Sequence, residues 1–219
     1  METLPELLDA VAHDRFLPPD GTLTVLPQLC QRDAGVLAFT AHTLVLTDED
    51  PAWVRATLAA VDCDPLAAPM HPRFLTALMD RTGRTAETVD ALWVGTPLPG
   101  PPALALRELA DTAHSRVVRA RRRRDAVRVW AADGGLLVVG RGVGGRLEVA
   151  LEVDGGGAGL GRGLAVAARQ LADRPVWAQV SPGNARSARA FLAAGYRPVG
   201  AEVLLSARGG STGCSGSCS

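Results

Sequence analysis

Two glycine-bearing segments carry residues whose spacing could do chemistry. Asp154-Gly-Gly-Gly-Ala-Gly-Leu-Gly-Arg-Gly163 follows an apolar stretch and leads into Leu164-Ala-Val-Ala-Ala-Arg-Gln-Leu171. Glycines let a backbone approach a phosphate closely and adopt positive φ. Their N–H groups form a concave anion cradle, and a helix beginning there adds the attraction of its dipole. A flexible linker would show the same composition. The second segment, Asn184-Ala-Arg-Ser-Ala-Arg-Ala-Phe-Leu-Ala-Ala-Gly195-Tyr196, opens on a capping residue and stops at glycine, as a helix does. One short apolar stretch, Pro175 to Val180, separates the two. Both helices can therefore line one cleft.

A third glycine motif points elsewhere. Gly140-Arg-Gly-Val-Gly-Gly145 fits G-x-G-x-x-G after an apolar stretch. A dinucleotide site also needs a helix opening directly behind it. Arg146-Leu-Glu-Val-Ala-Leu-Glu-Val153 instead alternates as a strand does, so the motif reads as a connection between strands.

The elements that must position these segments follow from periodicity and turn residues. In the first part, helices are predicted over Pro5–His13, from Pro51 to about Val61 (capped by Asp48 or Asp50), and over Pro72–Arg81 before Gly83. Strands are predicted over Thr22–Leu26, once or twice within Gly35–Thr47, and over Val89–Val94. Thr96-Pro-Leu-Pro-Gly-Pro-Pro102 reads as a linker. Beyond it come a strand Ala103–Glu108, a helix Asp111–Arg123 and a strand Ala126–Ala131. A hairpin turn at Asp133-Gly134-Gly135 leads to strands Leu136–Arg141 and Leu147–Val153. Then follow a helix Leu164–Leu171, a strand Val176–Val180, a helix Ala185–Ala194 and a strand Val199–Ser206. The expected organisation is an α+β region over 1–98, an α/β domain over 99–206, and a Gly/Ser/Cys tail over 207–219 that cannot bury a core.

Composition narrows the possible partners. Of 219 residues, 47% are apolar, enough for a sizeable core, and the formal net charge is zero. Zero charge gives no global pull toward nucleic acid or acidic membranes. The chain has neither Lys nor Ile, whose codons are AT-rich, so its Arg excess reads as coding bias. The run Arg119-Ala-Arg-Arg-Arg-Arg124 is accordingly read as a solvated helix end and not as a nucleic-acid site. No apolar stretch approaches the roughly 18 residues needed to span a bilayer, and the first residues do not resemble a secretory leader. The expected compartment is the cytoplasm. Cys30 and Cys63 read as semi-buried thiols, and Cys214 and Cys218 as part of the tail. His13, His42, His71 and His114 show no metal spacing and read as surface or capping residues, so no metal is expected.

The order strand, glycine turn, helix, strand, helix, strand resembles that of the GNAT superfamily of acyl-CoA-dependent N-acetyltransferases, over about residues 100 to 206. Asn184 to Tyr196 is similar to the family's N-x-x-[AS]-x-x-x-[YF]-x-x-x-G-[FY] signature, with Asn184, Ser187 and Phe191 on its fixed positions. The turn at 156–163 is similar to its [RQ]-x-x-G-x-[GA] signature. The resemblance implies an α/β GNAT fold, with a mixed central sheet and flanking helices. It implies acetyl-CoA as co-substrate and a small-molecule or peptide amine as acceptor. The strand Leu147–Val153 would splay from Val176–Val180, and the pantetheine arm would bond backbone near Leu151 and Val153. The pyrophosphate would rest on Gly157, Gly159, Gly161 and Arg162. Glu148 or Glu152 would be the base, with Glu148 favoured. Residues 1–98 would help to wall the acceptor pocket.

Two departures from the pattern matter chemically. In the register that matches Gly159-Leu-Gly161, the family's Arg or Gln falls on Gly156; in the alternative, with Gly161 and Gly163, it falls on Ala158. Neither supplies a polar side chain, so Arg162 would have to compensate. Phe191 replaces a Tyr whose hydroxyl can protonate the leaving thiolate, and Tyr196, the only Tyr, falls where packing is the usual role. A slow enzyme, or a non-catalytic acyl-CoA-binding protein on the same fold, is consistent with both.

Overall fold

A computed structural model describes residues 3–15, 22–39, 42–110, 112–155 and 159–208. Of the tail expected over 207–219, Ala207 instead ends the last strand, and residues 209–219, like Gly157, lie outside the described residues. The chain forms two compact units. One comprises the residues up to Asp90 together with the chain from Gly200, and the other is Ala91–Val199. The strand that precedes the Pro-rich linker thus belongs with the second unit, and most of the last strand with the first.

The first unit contains α1 (Leu4–Ala12), β1 (Leu23–Leu26), β2 (Ala34–Phe39), β3 (His42–Leu46), α2 (Pro51–Ala59), α3 (Pro72–Thr82) and β4 (Arg84–Ala86). β1 runs parallel to β3, and β3 antiparallel to β2. β2 and β4 both pair antiparallel with the segment from Gly200 onward. Helix starts follow side-chain caps. Asp50 accepts from the amide of Ala52 at 2.8 Å, and the His71 ring accepts from Arg73 at 3.2 Å. Gly83, at φ 65°, closes α3 in the left-handed conformation. Val36, Val45, Val54, Phe74, Leu78 and Val203 form the core between these helices and strands.

The second unit holds β5 (Asp90–Gly95), β6 (Arg107–Leu109), α4 (Ser115–Arg123), β7 (Asp125–Ala132), β8 (Gly135–Arg141) and β9 (Leu147–Val153). These are followed by α5 (Leu160–Gln170), β10 (Val176–Val180), α6 (Ala185–Ala193) and the start of β11 (Arg197–Ala207). Its strand order is β5-β10-β9-β8-β7-β6. Among these neighbours β9 and β10 run parallel and the other pairs antiparallel, so the sheet is mixed. Side-chain alternation divides the core. Leu137, Val139 and Val149 pack with Leu164, Ala168 and Phe191 on one face, and Leu136 and Val138 pack with Val117 and Ala120 of α4 on the other. The architecture is α/β with helices flanking a mixed sheet.

The departures from expectation have physical causes. The strand predicted over Ala103–Glu108 is confined to Arg107–Leu109. Leu104 and Leu106 pack against the same core cluster as Leu164 instead of alternating in a ladder. The helix predicted from Asp111 begins at Ser115, because the His114 ring accepts the Arg116 amide at 3.2 Å. Three-residue β4 is too short to show a period. Among the described residues no helix is long and apolar enough to cross a membrane.

Candidate functional site

The β9–β10 ladder is the feature that opens the sheet. It has three rungs, Val176 on Leu147, Trp177 on Glu148 and Ala178 on Val149, and then stops. β10 continues, with Gln179 and Val180 still paired to Leu92 and Ala91 of β5. β9 also continues, paired to β8 as far as Val153 on Gly135. Each strand stays ordered on its outer side. Among the described residues, Ala150–Val153 of β9 have no strand partner toward β10. The ladder between the two strands ends at Ala178. The β8–β9 register is unbroken, so Glu148, Ala150 and Glu152 share one face and Leu147, Val149, Leu151 and Val153 the other. Leu151 and Val153 are half-buried on the α5 side.

Helix α5 begins beside the end of β9. Gly159 caps it at φ 87°, a conformation that side chains disfavour, and its carbonyl accepts from Gly163 at 2.9 Å. The amides of Leu160, Gly161 and Arg162 therefore precede the first helical bond and face outward at the positive dipole end. Arg162 is exposed at this end. The helix starts four residues before the predicted Leu164, so Gly161 and Gly163 lie inside it. Their demands differ. A Cβ on Gly163 would sit 3.0 Å from Leu104 Cδ1, a tight fit, so packing accounts for that glycine. A Cβ on Gly161 would meet only Ala190 Cβ at 3.4 Å and Val153 Cγ2 at 3.8 Å, ordinary contacts. Among the described residues nothing requires glycine there. Gly161→Ala should therefore add about 0.5–1 kcal/mol of stability by helix propensity. If the bare backbone serves an anionic ligand, the same variant should weaken binding of that ligand, a pairing of effects that thermal melting and calorimetry on one sample would reveal.

Helix α6 packs beside the start of α5, where a Cβ on Gly161 would meet Ala190. Asn184 Oδ1 accepts the Ser187 amide at 3.0 Å and so caps the helix, and Gly195, at φ 77°, ends it. Ser187 is half-buried. Phe191 is buried and meets Tyr196 edge-on, with ring centroids 4.9 Å apart. The Tyr196 hydroxyl donates to the Ala165 carbonyl at 3.2 Å. Burial pushes its pKa well up, only partly opposed by Arg169, so the phenol stays protonated. Arg169, itself buried, donates to the Thr96 and Ala194 carbonyls and locks the exit of α6 to the end of β5.

On the α4 face, where the ladder closes, lies an ionic cluster. The Glu148 carboxylate, 3% exposed, accepts from Arg124 Nε at 2.8 Å and from Arg146 Nε at 2.9 Å. Gln179 Nε2 reaches Glu148 at 3.5 Å, and Arg124 Nη2 donates to Gln179 Oε1 at 3.1 Å. One guanidinium thus bridges β9 and β10 beside the last rung. Arg146 also lies over the Trp177 ring, 5.3 Å from its centroid. Nη1 of Arg124 is buried without a hydrogen-bond partner among the described residues. Burial alone would raise the Glu148 pKa, but the charges of Arg146 and Arg124 and their hydrogen bonds outweigh it and hold it below the ordinary value. A carboxylate stabilised in this way is a poor proton acceptor, which argues against the favoured assignment of Glu148 as the base. Glu152 is more accessible, its side chain 33% exposed, and it pairs with Arg116 at 2.5 Å and with His114 at 3.8 Å.

The same cluster explains the third glycine motif. Residues Val143–Gly145 form a short 3₁₀ turn and lead into β9, not into a helix. Gly142 lies so close to Glu148 that a Cβ there would stand 2.2 Å from its carboxylate. The glycine makes room for an ion pair. Arg124, expected to be a solvated member of the arginine run, is 9% exposed in this pair. Arg116, Arg146 and Gln179 stand in no motif of the sequence, and Arg124 only in the run read as solvated. The i, i+2 spacing of Arg146 and Glu148 was a usable signal, whereas Arg124 and Gln179 join only through the tertiary fold. Among the described residues, no group of His, Cys, Asp and Glu is placed to hold a metal ion.

No protein-family model matches the chain, and no curated protein matches it. Among solved structures it is similar to a GCN5-related N-acetyltransferase from Kribbella flavida, at 20% identity and TM-score 0.39, over 62% of this chain and 64% of that one. It is also similar to a GCN5-related N-acetyltransferase from Sphaerobacter thermophilus, at 12% identity and TM-score 0.34, over 60% of this chain and 55% of that one. The chain therefore spans less than two thirds of the length of either.

Proposed function

We propose that the second unit binds acetyl-CoA in the gap between β9 and β10 and transfers the acetyl group to an amine. The observation that carries this reading is the early end of the β9–β10 ladder beside the free amides of α5. A pantetheine arm carries amides that can pair with the unpaired edge of Ala150–Val153, in the manner of an added strand. The pyrophosphate suits the amides of Leu160, Gly161 and Arg162, with the Arg162 side chain supplying charge. The amine nitrogen attacks the thioester carbonyl carbon; the new C–N bond forms and the C–S bond breaks. Glu152, directly or through water, takes the proton from the amine. Because Phe191 has no hydroxyl, water returns a proton to the leaving thiolate. Alignment of the two reactants supplies much of the acceleration.

The test combines binding with turnover. Acetyl-CoA at a hundred times its dissociation constant should add about 2.7 kcal/mol of stability, and an amine panel should release free thiol. Absence of binding heat at millimolar acetyl-CoA would overturn the reading. A second reading, a non-catalytic acyl-CoA binder, is favoured by Phe191 and by the tied-up Glu148. It predicts binding without thiol release for any amine. Phe191→Tyr separates the two: in an enzyme, the added acid should speed turnover by up to about a hundredfold, and in a binder it should change nothing.

A further inference from the structure

The first unit contains a cavity of about 360 Å³ that no step above uses. It opens among the starts of β1 and β3, the end of β2, helix α2 and the segment from Val61 to Pro69. Its volume is in the range of small-molecule sites. Leu23, Phe39, Leu58, Val61 and Pro69 give it an apolar body. The polar lining is one-sided. Thr22, His42, Thr43 and Arg55 contribute, and no Asp or Glu is among the described lining residues.

Arg55 is the informative member. It is exposed on α2, and no hydrogen bond or ion pair engages it among the described residues. Arg84, Arg124 and Arg169, by contrast, are committed to carboxylates or carbonyls. His42 is 7% exposed, and its two ring nitrogens each lie 3.0 Å from a hydroxyl, of Thr22 and of Thr24. That chain of contacts fixes the imidazole in the wall and orients the Thr22 hydroxyl beside the cavity. A guanidinium presents a planar fork of donors, which matches a carboxylate.

We infer that this cavity is a binding site for a small carboxylic acid with an apolar body, its carboxylate on Arg55 at the mouth and its body among Phe39, Leu58 and Val61. The site lies wholly within the first unit and does not depend on the acyl-CoA reading.

Cys63, a half-buried free thiol, lines the cavity and serves as a reporter. Octanoate and 4-phenylbutyrate are the probes, with octylamine and octanol as matched controls, on the full chain. Calorimetry measures affinity, and mass mapping of iodoacetamide labelling reads Cys63. Either acid should bind and slow alkylation of Cys63, leaving Cys30 unchanged, while the amine should do neither. Arg55→Gln, an exposed substitution that leaves the fold intact, should weaken the acids by about tenfold or more. Unchanged Cys63 labelling at saturating acid would overturn the inference. So would equal affinity for octanol, or an Arg55→Gln variant that binds the acids as well as the parent chain.

Discussion

Glu148→Ala is expected to cost about 3–5 kcal/mol of folding free energy, because it removes the buried carboxylate on which two interior guanidinium groups converge. That is a large part of the roughly 5–15 kcal/mol that holds a typical domain together. The carboxylate is 3% exposed and bonded to both Arg124 and Arg146, so solvent cannot take its place. Glu148→Gln keeps the shape but not the charge and should fall between the two. Urea midpoints of the three chains at pH 7 would check the order; a Glu148→Ala midpoint equal to that of the parent would refute it. The pH dependence has a definite sign. The folded pKa of Glu148 lies below its unfolded value, so the contribution is complete above the unfolded carboxylate pKa and is lost as pH falls through the folded one. Glu148→Gln should flatten that acid limb, whereas an unaltered limb would mean that another carboxylate governs it.

Gly142→Ala is the second large effect. Its φ of −106° lies outside the left-handed region, so no positive φ calls for glycine. The obstacle is the carboxylate of Glu148, 2.2 Å from the added Cβ and held there by two arginines. Overpacking at such a site costs about 1–3 kcal/mol. Gly142→Ala placed in a Glu148→Ala background should cost far less, because the clashing group is gone. The double variant should therefore be more stable than the sum of the singles predicts. Strict additivity in the melting series would show that Gly142 answers to something other than the ion cluster. The comparison also tests the account of the glycine motif, since a nucleotide-binding role would leave stability indifferent to residue 148.

Most elements were legible in the sequence, for reasons visible in particular residues. β9 and β10 match their predicted bounds because β9 alternates apolar residues with Glu148 and Glu152, β10 is a short mostly apolar run, and strong punctuation precedes each, glycines before β9 and Pro175 before β10. α6 is bounded by Asn184 and Gly195, and both do what their chemistry suggests. The start of α5 was misplaced because glycine is a poor helix former. Gly161 and Gly163 sit in the helix because apolar contacts from Leu160 and Leu164 hold the first turns. His114 moved the start of α4 through a ring-to-backbone bond that is an uncommon cap.

The site divides along the same line. Local pattern alone set the order of strand, glycine segment and helix, and the bounds of α6 around Phe191, because each depends on neighbours a few residues away. The fate of the carboxylates was decided only by the folded chain. Glu148 and Glu152 are chemically identical in the sequence, four residues apart on one strand face. Arg124, Arg146 and Gln179 converge on the first and take it out of solvent, while the second stays within reach of water. Which charges meet in a low-dielectric interior is a property of distance in space, and no spacing along the chain encodes it.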